Sequence, residues 1–248
     1  MKKSELLIPA LLAVVALGCR SQSDETQASA AKAQAAEAAR PVVDAPKPAV
    51  EVAKPAVEAA QAAERAVSAP MADGKLLAKV GQPAPNFALK DLNGKEHTLA
   101  QYKGKTVVLE WFSPGCPYCV YAYGDGSLKT MPEQYMKDGM VWLSVNSEAP
   151  ENKAASVEMN RTFIEKNGMK APLLMDPTGI VGRSYGAKST PHVFVIDPKG
   201  VLVYQGALDN APLGKVADDA AKIDYVGDAV AAIKAGTAPK VTETKSYG

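Results

Sequence analysis

Two cysteines, Cys116 and Cys119, stand three positions apart in "LEWFSPGCPYCVY" (residues 109–121), with an acidic residue, Glu110, six positions before the first of them. A thiol pair at that spacing can lock a short loop, supply half of a metal site, or exchange disulfides with a substrate. A disulfide closing so small a loop removes little chain entropy from the unfolded state, which argues against a purely structural staple. Zinc needs four ligands, and beyond this pair the domain offers only His97 and His192, far apart and without paired spacing. The reactive dithiol is the reading that uses the neighbours as well as the cysteines.

Those neighbours depend on the elements that carry them. "TVVLEWF" (106–112) is a continuous apolar run of strand-forming residues, and the segment from Pro117 is expected to begin a helix. Cys116 then sits at the helix N-terminus, where N–H groups without partners and the positive end of the dipole favour a thiolate. Its pKa is expected below the free-thiol value of about 8.5, which makes it the exposed nucleophile. Pro117 suits the first helical position because its missing N–H would have had no partner there. Cys119, one turn further in, is expected to be buried yet within disulfide reach, as a resolving thiol must be. Glu110 interrupts the apolar strand, and an ionised carboxylate is costly to bury. With a raised pKa it could take and return the proton of Cys119; the alternative is a Glu110 that faces a water-filled edge or a lysine.

"NFAL" (86–89) and "EHTL" (96–99) flank "KDLNGK", whose Asn-Gly is a turn signal, and read as a β-hairpin. "MVWLSVN" (140–146) is a second buried strand, so strand, helix and strand form a βαβ unit with a parallel pair. A polar stretch (147–157), a helix around Arg161–Lys166 and a short strand in "APLLMD" (171–176) follow. "HVFVID" and "GVLVYQG", joined at "PKG", read as a second hairpin, and Val226, Val230 and Ile233 fall at helical spacing in a final helix. The class is α/β, with the CxxC where a parallel strand hands over to a helix, the end at which open α/β sheets collect their chemistry.

"VVLEWFSPGCPYC" resembles the active-site region of thioredoxin-fold proteins, in which an apolar strand carries a buried acid six residues before the first cysteine. "STPHVFVID" resembles their second landmark, a cis-proline before a strand. The resemblance implies that Pro191, preceded by Thr190, lies against the disulfide and pairs substrate backbone. The hairpin, the "F-A-L-x-D-x-x-G" pattern at Phe87–Gly94 and the inserted helix–strand element (about 158–176) are similar to the redoxin branch, which holds alkyl-hydroperoxide-reductase and TlpA-like proteins. The fold so implied is thioredoxin-like, with an N-terminal β-hairpin and a helix–strand insertion in a central mixed sheet. "Pro-Tyr" between the cysteines is similar to glutaredoxins, and Tyr118 joins Thr190 and Pro191 as an expected substrate contact. His192 is expected either near the site or on the surface. Peroxiredoxins carry a Pro seven residues, and a Thr or Ser three residues, before their reactive cysteine. Here those positions are Leu109 and Ser113, half of that motif.

The rest of the chain bears on location. Among 248 residues the formal net charge is +1, which gives no global pull toward nucleic acid. Lys2 and Lys3 precede an apolar stretch, Leu6 to Leu17, too short to span a bilayer. It runs into "ALGCR", which resembles the lipobox of bacterial lipoproteins and implies lipidation at Cys19, although Ala16 stands where that motif usually has Leu. An ordinary secretory signal is the alternative, and either one places the protein outside the cytoplasm, where cysteine pairs can stay oxidised. Residues 20–75 contain 19 alanines and no Phe, Trp or Tyr, too little to build a core. The repeat "KPAVEVA" (47–53), "KPAVEAA" (54–60) is broken by its prolines. As a coil this tether would span on the order of 40 Å. The organisation expected is a signal at 1–18, a tether at 19–75, the domain at 76–236 and a tail at 237–248.

The function expected is a membrane-tethered thiol-disulfide oxidoreductase of the cell envelope whose only redox group is the cysteine pair, without metal or organic cofactor. Its partners would be protein thiols and disulfides together with a thiol electron donor. A thiol peroxidase is the enzymatic alternative, and a non-catalytic thioredoxin-fold binding module the other.

Overall fold

The computed structural model describes residues 77–217 and 220–248. The leader with Cys19 and the Ala/Pro-rich tether lie outside the described residues. Seven strands form one sheet: β1 (Ala88–Asp91), β2 (Glu96–Thr98), β3 (Val107–Trp111), β4 (Val141–Asn146), β5 (Leu173–Met175), β6 (His192–Ile196) and β7 (Leu202–Gly206). Their order across the sheet is β2-β1-β5-β4-β3-β6-β7. β3, β4 and β5 run parallel, whereas β6 and β7, and the β1–β2 hairpin beside β5, are antiparallel.

Both expected hairpins form. The first starts at Ala88 rather than Asn86, and at its other end the Asp91 side chain organises the turn by accepting from the N–H groups of Asn93 and Lys95 (2.8 and 3.0 Å). Strand β3 is buried at all five positions, with its side chains divided between two cores. Val108 and Phe112 join Cys119, Tyr123, Trp142, Val193 and Val195 on one face of the sheet. Val107, Leu109 and Trp111 join Leu143, Val145, Phe194 and Ile196 on the other. A sheet covered on both faces explains why β3 reads as a continuous apolar run instead of an alternating one.

Among the described residues five α-helices accompany the sheet: α1 (Pro117–Gly124), α2 (Met131–Lys137), α3 (Val157–Asn167), α4 (Ile180–Tyr185) and α5 (Tyr225–Lys234). The expected segment at 161–166 extends back to Val157 because Ser156 caps it, its side chain accepting from Met159 N–H at 3.2 Å. It stops at Gly168, whose φ of 62° a side chain would oppose. Helix α5 likewise starts at a side-chain cap, Asp224 onto Gly227 N–H at 2.8 Å, and buries Val226 and Val230 while Ile233 is only partly covered. Helices α2 and α4 were not legible as periodic patterns; at seven and six residues they are too short to show one. The bond between Thr190 and Pro191 is cis, as the resemblance implies. This is the thioredoxin-like α/β architecture with its N-terminal hairpin and inserted α3–β5 element.

Residues 237–248, expected as a tail, pack against the domain. Gln205 and Glu243 form a parallel bridge on the outer side of β7.

Candidate active site

Cys116 occupies the N-cap of α1 in an extended conformation (φ −79°, ψ 123°), with Pro117 as the first helical residue. Its carbonyl accepts the first helical bond, from Val120 N–H at 2.9 Å, while a turn closed by its own N–H onto the Ser113 carbonyl (3.2 Å) carries the chain from β3 into the helix. The half-buried thiol donates to the Thr190 carbonyl at 2.9 Å. That bond favours the protonated thiol and is given up when the thiolate forms. The thiolate is nevertheless strongly favoured, and the Cys116 pKa falls to about 5. The hydrogen bond with the Cys119 thiol is the largest cause, partial burial opposes it, and the Thr190 side chain and then the N–H groups of Cys119 and Tyr118 at the helix start add to it. Cys119 is fully buried. Burial first, then the paired Cys116 sulfur and the negative charge of Glu110, push its pKa well above the ordinary thiol value. Both cysteines are free thiols.

Glu110 lies on the same face of the sheet as Cys119 and has no exposure at all. Parallel pairing sets it opposite Ser144, and Trp142, two residues earlier on β4, points to the same face. Tyr123, one helical turn beyond Cys119, closes the cage from α1. The Tyr123 hydroxyl donates to Glu110 Oε2 at 2.5 Å, the Trp142 Nε1–H at 3.1 Å, and the Ser144 hydroxyl at 3.1 Å. Oε1 has no partner. Burial raises the carboxyl pKa to about 7 against the three donors, which pull it down. With Oε2 saturated by donors, the proton of the acid form belongs on Oε1. A carboxyl that changes state near neutrality beside a thiol reluctant to ionise has the properties of a proton carrier. Neither a lysine nor a water-filled edge meets Glu110.

The loop before β6 supplies the opposite wall. Thr190 contributes the carbonyl that holds Cys116, and Pro191 follows in the cis form. Tyr118 is half-buried beside Cys116, its ring 5.8 Å from that of Tyr247. His192 is not a surface residue. It is 7% exposed, opens β6 opposite Trp111, meets the Phe194 ring at a tilt with centroids 4.5 Å apart and accepts the Lys188 N–H on Nδ1 at 3.3 Å. Burial, helped by the charge of Lys188, lowers its pKa to about 4, so its ring is neutral at pH 7.

Sequence reasoning brought Cys116, Cys119, Glu110, Tyr118, Thr190 and Pro191 to one place, and the structure assembles them. It missed Tyr123, Trp142 and Ser144. Two signals were present: a Ser inside the buried strand "MVWLSVN", and a Tyr four residues after the resolving cysteine.

A model of the AhpC/TSA family matches residues 80–205, a span that contains the cysteines, Glu110 and the cis-proline. The chain belongs to the AhpC/TSA family. Within the reach of that family, this AhpC/TSA chain is 34% identical over 129 residues to thiol-disulfide oxidoreductase ResA of Geobacillus thermodenitrificans, an alignment covering 51% of this chain and 68% of that one. It is 31% identical over 166 residues to peroxiredoxin-2 of Macaca fascicularis, covering 62% and 80%. Among solved structures, a hypothetical protein from Sinorhizobium meliloti 1021 superposes with a TM-score of 0.60 at 25% identity, covering 68% of this chain and 92% of that one. AhpC/TSA membership and a dithiol of this geometry make the protein a thioredoxin-like oxidoreductase.

Proposed function

We propose that the protein exchanges disulfides through the Cys116–Cys119 pair and works outside the cytoplasm on a membrane tether. The observation that carries this reading is the division of labour between two sulfurs on one helical turn: a half-buried thiolate at Cys116 and a buried, protonated thiol at Cys119 beside a carboxyl of pKa about 7. The Cys116 thiolate attacks a substrate disulfide, forming a mixed disulfide and expelling one substrate thiolate. Cys119 passes its proton to Glu110 and attacks the Cys116 sulfur. The second substrate thiolate leaves, taking up a proton, and the enzyme keeps a Cys116–Cys119 disulfide. The substrate has gained two electrons and the dithiol has lost two; an external thiol donor restores the pair by the reverse steps. Thr190 and Pro191 present backbone to the substrate, and Tyr118 lines its approach. The cysteine pair is the only redox group this cycle needs.

Extracytoplasmic location and the lipid anchor are supported by the export-type leader, by Cys19 in "ALGCR" and by the core-free composition of residues 20–75. Among the described residues no helix is long and apolar enough to cross a membrane. In this reading Cys19 makes the attachment. Labelled palmitate should enter the wild-type protein and not a Cys19→Ser variant. The exchange reading is tested by a Cys119→Ala variant expressed in the cell envelope. Mixed disulfides to proteins through Cys116 are expected; their absence, with fast peroxide turnover instead, would overturn it.

The match to peroxiredoxin-2 favours a second reading, a thiol peroxidase, with Ser113 at the hydroxyl position of the peroxidase motif. Leu109, where that motif has proline, lies fully buried in the opposite core. Peroxide consumption by the reduced protein, set against its rate on a disulfide, separates the two.

A further inference from the structure

Residues 242–248 take no part in the chemistry above, yet they run from the open edge of the sheet to the rim of the dithiol. β7 is an edge strand. On its outer side Gln205 N–H donates to the Thr242 carbonyl at 3.0 Å, and Thr244 N–H donates back to the Gln205 carbonyl at 3.1 Å. Side chains lock that register. The Gln205 amide donates to Glu243 at 2.9 Å, and Thr244 Oγ1 accepts from Ala207 N–H at 2.8 Å while lying 2.7 Å from the Tyr204 hydroxyl. Gly206, at φ 147°, has no room for a Cβ, which would strike Thr244. The edge of β7 is thus shaped for a close-lying strand.

Beyond Thr244 the chain crosses the loop that precedes Pro191. Ser246 and Ser189 share a hydrogen bond of 2.8 Å. The Gly248 backbone lies so near the Thr190 backbone that a Cβ would collide with the Thr190 carbonyl. That carbonyl is the one that accepts from the Cys116 thiol. Tyr247 covers Tyr118 and donates its hydroxyl to Asp209 Oδ1 at 2.6 Å, and Asp209 is itself held by Lys222 at 3.3 Å. An extended segment that adds to a sheet edge, then passes over a reactive side chain, is the geometry of a peptide bound by strand addition.

We propose that the face made by the outer edge of β7, the Ser189–Thr190 turn and Tyr118 docks an extended polypeptide, and that residues 242–248 are an internal occupant which a polypeptide disulfide must displace to reach Cys116. This rests on the disulfide-exchange reading above. A small disulfide needs only the exposed part of the Cys116 sulfur and no length of the groove, so the occupant discriminates between substrates by size and extension. Losing the Tyr247 hydrogen bond and ring contact weakens the occupant by an amount equivalent to roughly tenfold in rate, taking typical values for one hydrogen bond and one aromatic pair.

The test uses the full chain in its reduced form, reacted with a small aromatic disulfide and with an unfolded polypeptide bearing one disulfide. Tyr247→Ala and, separately, Thr244→Val should speed the polypeptide reaction roughly tenfold while the small disulfide stays within about twofold of wild type. A synthetic peptide of residues 240–248, added to the Tyr247→Ala protein, should slow the polypeptide reaction again. That peptide arm keeps the test decisive if Thr244→Val fails to fold. Unchanged polypeptide rates, equal acceleration of both disulfides, or a peptide without effect would each overturn the docking proposal. A wild-type protein that exchanges with neither disulfide would instead overturn the exchange reading on which the proposal stands.

Discussion

Cys116 and Cys119 share one turn of helix α1, but one lives at a surface and the other in a core. Around Cys116 are backbone N–H groups, a carbonyl and the partner thiol, all arranged to exchange one hydrogen bond for another as charge appears. Around Cys119 are apolar side chains and a caged carboxyl. The helix start can therefore stabilise a thiolate only at its outer end, while burial and the neighbouring Glu110 hold the inner thiol in its protonated form. The contrast teaches that the spacing of a CxxC sets the reach of the two sulfurs while burial sets which of them ionises.

The largest test of this contrast is chemical. At pH 7 the thiolate fraction of Cys116 exceeds that of Cys119 at least about a hundredfold, so iodoacetamide should label Cys116 alone until the protein unfolds. Mass spectrometry of the labelled peptides checks it, and labelling should persist down to about pH 5 before it slows. Comparable labelling of both cysteines in the folded state would break the comparison.

Glu110→Gln should slow the second, Cys119-dependent step by about a hundredfold, the low end of general-base effects, and remove the inflection near pH 7 from its pH–rate profile. The first step, measured in Cys119→Ala, should hardly change when Glu110 is also replaced. The same residue sets a stability trend. The folded-state pKa of about 7 lies above the ordinary 4.5, so the folded protein binds this proton more tightly than the unfolded chain. The contribution is full below pH 4.5 and is lost as pH rises through about 7, on the order of 3 kcal/mol in all. The lowered pKa values of Cys116 and His192 add stability over the same range in both proteins, so urea unfolding at pH 4.5 and pH 8 should show the Glu110 loss as a difference, with wild type falling by that amount relative to Glu110→Gln.

Tyr123→Phe is the subtler probe. Removing one donor from Oε2 raises the Glu110 pKa further, because that bond opposes burial. The inflection should move to higher pH, with a rate loss of about fivefold, in line with one ordinary hydrogen bond lost. The smallest effect is expected at His192. Its ring is neutral at pH 7 and faces Phe194, so His192→Gln should leave the pH profile above pH 5 unchanged and alter rates by less than about twofold. A shifted profile would assign His192 a part in proton transfer.

Much of the site was legible because it is local. The apolar run ending in a turn, Pro117 at a helix start and the cysteine spacing together place a thiolate at the outer end of a helix, whatever the rest of the chain does. The cis-proline was legible from its resemblance and its position before "HVFVID". The cage around Glu110 was not, since it needs the β3–β4 register that sets Ser144 opposite Glu110 and the packing of α1 that brings the Tyr123 hydroxyl to both. Helices α2 and α4 escaped because six or seven residues hold too few turns for a period to show. Residues 237–248 read as a tail because their anchors, Gln205, Ala207 and Asp209, lie some forty residues earlier in the chain.

By itself, then, the sequence determined which sulfur stands at the helix start and which strand and helix present it, because helix capping and strand periodicity act between near neighbours. Only the tertiary structure decided which groups hold the proton of Glu110 and what lies across the groove beside Cys116. Those are contacts between segments distant in the chain, set by sheet register and by the packing of both faces, and no local pattern encodes them.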